Sequence, residues 1–135
     1  MGSGRVEYAK IGGMASAVRY LVTDVAAAVA FYVERLGFRE AQRFGPAMAI
    51  VERDDLRLWL AGPSASAAQP MPDGRRPEPG GWNRLVLEVD DLDGVVAGLR
   101  AAGSVFRNDP ISGPGGRQVL IEDPSGNPIE LFEPR

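Results

Sequence analysis

The chain has 135 residues, 44% hydrophobic and 24% charged, with a net charge of -3 and neither cysteine nor histidine. That size and balance fit one domain whose core takes in roughly 65–70% of the unfolded chain's surface, and the charge supplies no basic stripe for nucleic acid. The missing side chains exclude disulfides, thiolate or imidazole metal ligands, cysteine nucleophiles and Ser-His-Asp triads.

Met1–Lys10 has no apolar h-region, so no signal peptide is expected. No apolar run approaches the roughly 20 residues of a membrane span, and a cysteine-free chain suits a reducing cytoplasm. The first strong element is an alternating strand over Ala17–Val22. Asp24 then caps a helix whose Val25, Ala28, Val29, Tyr32 and Leu36 recur at helical spacing, and Gly37 ends it. Strands are expected over Phe38–Phe44, Ala47–Glu52 and Leu56–Ala61, with turns at Gly45-Pro46 and Arg53-Asp54-Asp55.

A stretch rich in Ala, Ser, Pro and Gly follows and reads as a linker over 63–82, or as a loop that orders over a ligand. The second half then answers the first. Arg84–Val89 alternates, Asp90-Asp91 caps a helix striped by Leu92, Val95, Val96 and Leu99, and Gly103 closes it. Strands are expected over Val105–Arg107, Arg117–Glu122 and Pro128–Phe132, with Asp123–Asn127 as a turn and Ser112–Gly116 as a hairpin loop. The repetition divides the chain into units over 15–62 and 83–135.

Three segments, VTDVAAAVAFYVERLGF (Val22–Phe38), LEVDDLDGVVAGLRAAG (Leu87–Gly103) and IEDPSGNPIELFEP (Ile121–Pro134), resemble the glyoxalase/bleomycin-resistance/dioxygenase (vicinal oxygen chelate) superfamily. The resemblance implies an α+β fold, two βαβββ repeats forming curled mixed sheets around a cleft, with helices outside. Val18, Tyr20, Val22, Leu85, Leu87 and Val89 should then face the helices, with Ile129 and Leu131. Ala17, Arg19, Leu21, Arg84, Val86 and Glu88 should face the cleft with Arg57, Trp59, Glu130 and Phe132.

Metal-dependent members of that superfamily hold one divalent ion with four side chains. The resemblance puts those positions at Ala17, at or beside Trp59, at Arg84 and at Glu130, and only Glu130 keeps the ligand type. One carboxylate does not make a metal site, and an arginine at a ligand position repels a cation. No metal, no cofactor and no metal-dependent lyase, dioxygenase or fosfomycin-modifying chemistry is therefore expected.

For the remaining cleft, Trp59 is a candidate for stacking on a planar ligand, or else fills the core. Arg84 and Glu130 either hold a polar group of the ligand or form a salt bridge in the vacated metal position. Phe44, Met48, Trp82 and Phe132 are candidates for an apolar wall, and Arg19 is a second polar contact or a solvent-facing strand residue. No catalytic residue is assigned. The first functional expectation is a binding protein that sequesters a hydrophobic or aromatic natural product or antibiotic, like the superfamily's bacterial resistance branch. The mildly acidic second half would tolerate a cationic ligand. The alternative is a cofactor-free isomerase, epimerase or lyase using Glu130 or Glu88 as base with Arg84 as stabiliser, and a third is a partner module with a vestigial cleft. A homodimer is the expected assembly, as is common in the superfamily and among small soluble proteins.

Overall fold

The structure is a computed structural model that describes residues 16–135. The expectation for Met1–Lys10, and position 15 where the first repeat is set to begin, lie outside them. In the first half β1 (Val18–Leu21), α1 (Val25–Leu36), β2 (Arg39–Phe44), β3 (Met48–Arg53) and β4 (Leu56–Ala61) follow one another. In the second come β5 (Leu85–Glu88), α2 (Leu92–Ala101), β6 (Val105–Phe106), β7 (Ile111–Gly113), β8 (Gly116–Glu122) and β9 (Pro128–Pro134). The sheets run β1-β4-β3-β2 and β5-β9-β8-β6, with β7 paired to β8. In each the first strand is parallel to the last and the other pairings are antiparallel, which makes both sheets mixed.

The helices begin and end where local chemistry requires. Asp24 accepts from the Ala27 N–H and Asp91 from the Gly94 N–H, each satisfying a donor that the first helical turn leaves orphaned. Gly37 ends α1 at φ 74°, a left-handed conformation that costs a glycine nothing. The buried stripe of α1 includes Phe31 besides the expected residues, and Phe31 and Phe38 meet Tyr32 edge-on at 5.3 Å each.

One core joins the two halves. It takes Val51, Leu58 and Leu60 from the first sheet, Val119, Ile129 and Leu131 from the second, and the apolar stripes of both helices. Each such side chain contributes about 1.5–3 kcal/mol on burial. Val18 departs from the expected pattern and is 38% exposed. It opens an edge strand, and α1 lies over β2, β3 and β4 rather than over the start of β1.

The Asp123–Asn127 turn is the polar hub of the seam. Asp123 is buried and accepts from the Tyr32 hydroxyl, from the Ser125 and Asn127 N–H groups and from Asn127 Nδ2. Asn127 Nδ2 also donates to the Leu21 carbonyl, and its Oδ1 accepts from the Gly80 N–H. Thr23 N donates to Ser125 Oγ. The Tyr20 hydroxyl donates to the Pro128 carbonyl and accepts from the Leu85 N–H. Burial, followed by the Asp123 charge, drives the Tyr32 hydroxyl's pKa far above the ordinary tyrosine range, and burial raises that of Tyr20.

The second repeat carries β7, which the sequence reading leaves as loop. Its three residues pair with β8 through the Gly113–Gly116 turn. A Cβ on Gly116 would collide with the Glu133 carbonyl oxygen, so the backbone approach there admits only glycine. The 63–82 segment has a single 3-10 turn over Ser66–Ala68.

Candidate functional site

Strand alternation sends one set of side chains to the helices and the other to the opposite, inner face of each sheet. Cross-strand register turns the inner set into rows. In the first sheet Arg19 is level with Trp59, Trp59 with Ile50, and Ile50 with Gln42. On one side of that row lie Leu21, Ala61, Met48 and Phe44, and on the other Arg57, Glu52 and Arg39. In the second sheet Val86, Glu130 and Leu120 form the middle row, flanked on one side by Glu88, Phe132 and Gln118.

The floor of both faces is apolar. Ile50 and Leu120 are 7% and 9% exposed, yet neither belongs to the core under the helices. Higher on the same faces Phe44 and Val86 are 47% and 52% exposed. The inner face thus has dry ground beneath and accessible apolar side chains above, the combination that organic ligands seek.

Arg84 and Glu130 do meet. Arg84 Nε and Nη2 donate to the same oxygen, Glu130 Oε1, at 3.0 and 2.8 Å. The Glu130 side chain is only 10% exposed and the Arg84 side chain 29%. A carboxylate so placed needs its cation, because an unpaired buried charge costs several kcal/mol, of order 3–5. No bond from a described residue reaches Oε2.

Trp59 lies half-buried with the Arg19 guanidinium 5.0 Å from its ring centroid and that of Arg57 at 6.0 Å. Its indole Nε1 is buried and has no hydrogen-bond partner among the described residues. A buried donor left unpaired costs about 1–3 kcal/mol, and native structures rarely keep one without a use for it.

Trp82 is 69% exposed at the end of the linker. It is held by Arg107, whose guanidinium lies 4.6 Å from the ring centroid. Arg107 also bonds Glu122 Oε2 at 2.8 Å, the Gly81 carbonyl at 2.7 Å and the Gly126 carbonyl at 3.0 Å. The Trp82 carbonyl accepts from Arg84 Nη1 at 3.4 Å, which ties this indole to the Arg84–Glu130 pair.

The expected apolar wall divides. Phe44 and Met48 are direct cross-strand partners, in the row of Leu21, and Asn127 ties the Leu21 carbonyl to the start of β9. Phe132 stands level with Glu88, at the other end of β5, where Arg53 Nη2 donates to the Glu88 carbonyl. Arg57, Arg107, Ile50 and Leu120 complete the inner face and were not among the candidate residues. For Arg57 the signal was there, two positions from Trp59 on the same strand. For Arg107 there was none, because its acceptors, the Glu122 carboxylate and the Gly81 and Gly126 carbonyls, are all distant in sequence.

The larger of two neighbouring hollows reaches the inner face, where Val86 and Glu88 line it. One of about 350 Å³ lies at the start of α1 between Thr23 and Arg43, and one of about 590 Å³ lies between the β3–β4 turn and β5; neither is lined by Trp59 or Glu130. Among the described residues, no three Asp or Glu side chains gather to share a metal ion, and no helix is long and apolar enough to cross a membrane.

Residues 14–131 match the Glyoxalase/Bleomycin resistance protein/Dioxygenase superfamily. The chain is 31% identical over 121 residues to the uncharacterized protein YaeR of Escherichia coli (strain K12), across 86% of this chain and 92% of that one. TnmS3, an antibiotic binding protein from Streptomyces sp. CB03234, is similar in structure with a TM-score of 0.64 at 29% identity, across 92% of this chain and 99% of that one. A lactoylglutathione lyase from Agrobacterium tumefaciens has a TM-score of 0.70 at 22% identity, across 92% and 96%, a likeness of fold alone.

Proposed function

The chain belongs to the glyoxalase/bleomycin resistance protein/dioxygenase superfamily, and on that scaffold we propose that it is a metal-independent binding protein that sequesters a hydrophobic, aromatic natural product or antibiotic. The observation that carries this reading is the Arg84–Glu130 pair. Of the four positions to which the resemblance assigns the ligands of metal-dependent members, Ala17 offers a methyl group, the one at or beside Trp59 falls where that indole stands, and Arg84 offers a permanent cation. The carboxylate at the fourth, Glu130, already neutralises Arg84 through Oε1. This donor set does not fit a divalent ion, which needs about three protein ligands.

What stands there instead suits organic chemistry. Trp59 offers a flat surface over an apolar floor, and Trp82 a second one at the rim. Stacking on such rings is worth about 0.5–1.5 kcal/mol each beyond burial. The likeness to an antibiotic binding protein at 29% identity supports the same class of ligand. The working unit in this reading is a homodimer, which light scattering would show at twice the chain mass.

The test is calorimetric titration of chelator-treated protein with a panel of aromatic antibiotics. At least one compound is expected to bind with a Kd below about 100 μM, or roughly -5.5 kcal/mol, and to be recovered unchanged after long incubation. Failure of the whole panel to reach that affinity, or binding that vanishes with chelator and returns with zinc, nickel, manganese or iron, overturns the proposal.

A further inference from the structure

The inner face sorts its arginines into two kinds. Arg39, Arg84 and Arg107 each pair with a carboxylate, Glu52, Glu130 and Glu122 respectively. Arg19 and Arg57 do not. Neither makes a salt bridge or a side-chain hydrogen bond to a described residue, and both guanidinium groups lie within 6.0 Å of one ring, that of Trp59. The same ring carries the buried N–H that has no acceptor among the described residues. Two arginines without a carboxylate partner, Arg19 exposed and Arg57 half-buried, and one donor without an acceptor therefore gather at a single point on this face. Glu52 is level with Arg57 across the β3–β4 pairing but is claimed by Arg39 at 3.4 Å. Glu88 is exposed and in another row, level with Phe132.

We infer that the ligand is an aromatic acid: its ring system packs against the edge of Trp59, and its carboxylate, or an equivalent anionic oxygen group, enters as the Arg19 and Arg57 side chains move aside, pairs with them and accepts from the indole N–H. This deepens the binding reading above and rests on it. The chemistry is that of charge-assisted hydrogen bonds, in which guanidinium groups suit planar oxygen anions far better than neutral acceptors. It also reverses the expectation drawn from overall charge. The chain is acidic in sum, at -3, but the recognition point is cationic, so a cationic ligand is disfavoured there.

The inference is tested with three probes of one shape: anthraquinone-2-carboxylate, anthraquinone-2-carboxamide and 2-(aminomethyl)anthraquinone, each titrated calorimetrically into the full chain and into the Arg19→Gln/Arg57→Gln double variant. The carboxylate is expected to bind at least tenfold more tightly than the amide or the amine, with a preference that shrinks as salt is raised. The double variant, whose folding is checked by circular dichroism and its thermal midpoint, is expected to lose that preference. Equal affinity for all three probes, or a tenfold preference that survives in the double variant, overturns the inference and leaves the binding reading standing. Failure of all three probes together with the antibiotic panel overturns both.

Discussion

Two polar regions of this molecule are built on opposite principles. At the Asp123–Asn127 turn each side chain is answered: Asp123 accepts four hydrogen bonds, and Asn127 links β1, the linker and its own turn. Around Trp59 the reverse holds, with an indole N–H buried without an acceptor and two arginines without counter-ions among the described residues. A satisfied network rigidifies and specifies a fold, while an unsatisfied one forgoes stability. The difference separates polar groups that hold the halves together from those kept open for a molecule that comes from outside.

The sharpest way to break that comparison is Asp123→Ala. It strands the Tyr32 hydroxyl and the Ser125 and Asn127 backbone N–H groups in the seam, and a loss of about 3–5 kcal/mol is expected from urea unfolding. A loss under about 1 kcal/mol would mean that the turn is no hub. Next comes Arg84→Met, which leaves Glu130 without its cation. With the Arg84 side chain 29% exposed, solvent screening reduces the cost, and about 1–3 kcal/mol is expected, largely recovered in Arg84→Met/Glu130→Gln.

The buried tyrosines predict a fall in stability at alkaline pH. Burial raises the folded pKa of Tyr20 above the 10.0 of an unperturbed tyrosine, and that of Tyr32 moves the same way. The unfolded chain therefore gives up these protons first. The stabilisation is full below about pH 10 and is lost as pH rises through the folded values. Urea midpoints should decline above that pH, and less steeply in Tyr32→Phe. A smaller effect of opposite sense is expected from Trp59→Phe, which removes the orphan donor: unchanged stability, or a gain of up to about 1 kcal/mol, alongside weakened ligand binding. A loss above about 2 kcal/mol would place Trp59 with the structural group and break the comparison from the other side. Smallest of all is Asp93→Asn. Its hydrogen bond and ion pair with Arg117 lower the Asp93 pKa, but the pair sits in solvent, so no measurable change in thermal midpoint is expected.

The elements that local chemistry dictates were legible in the sequence. Asp24 and Asp91 as caps, Gly37 and Gly103 as stops, and the alternation that sends Leu58 and Leu60 to the helices and Trp59 to the other face all follow from nearest neighbours. Elements defined only by distant partners were not. Strand β7 exists because Ile111, Ser112 and Gly113 meet β8, and three residues carry no period of their own. The irregularity between Glu40 and Gln42 in β2 likewise shows only in register with β3. The same limit applied to the site. Trp59, Arg84 and Glu130 could be singled out one by one, but the orphan indole N–H and the sorting of the arginines depend on who else is near.

That contrast between answered and unanswered polar groups is tested most directly by the indole N–H resonances of ¹⁵N-labelled protein during titration with anthraquinone-2-carboxylate. The Trp59 signal, assigned by its loss in Trp59→Phe, is expected to move downfield as its N–H acquires an acceptor, and to exchange with solvent more slowly at saturation. A probe that binds by calorimetry while leaving the Trp59 resonance and its exchange rate unchanged would contradict the account.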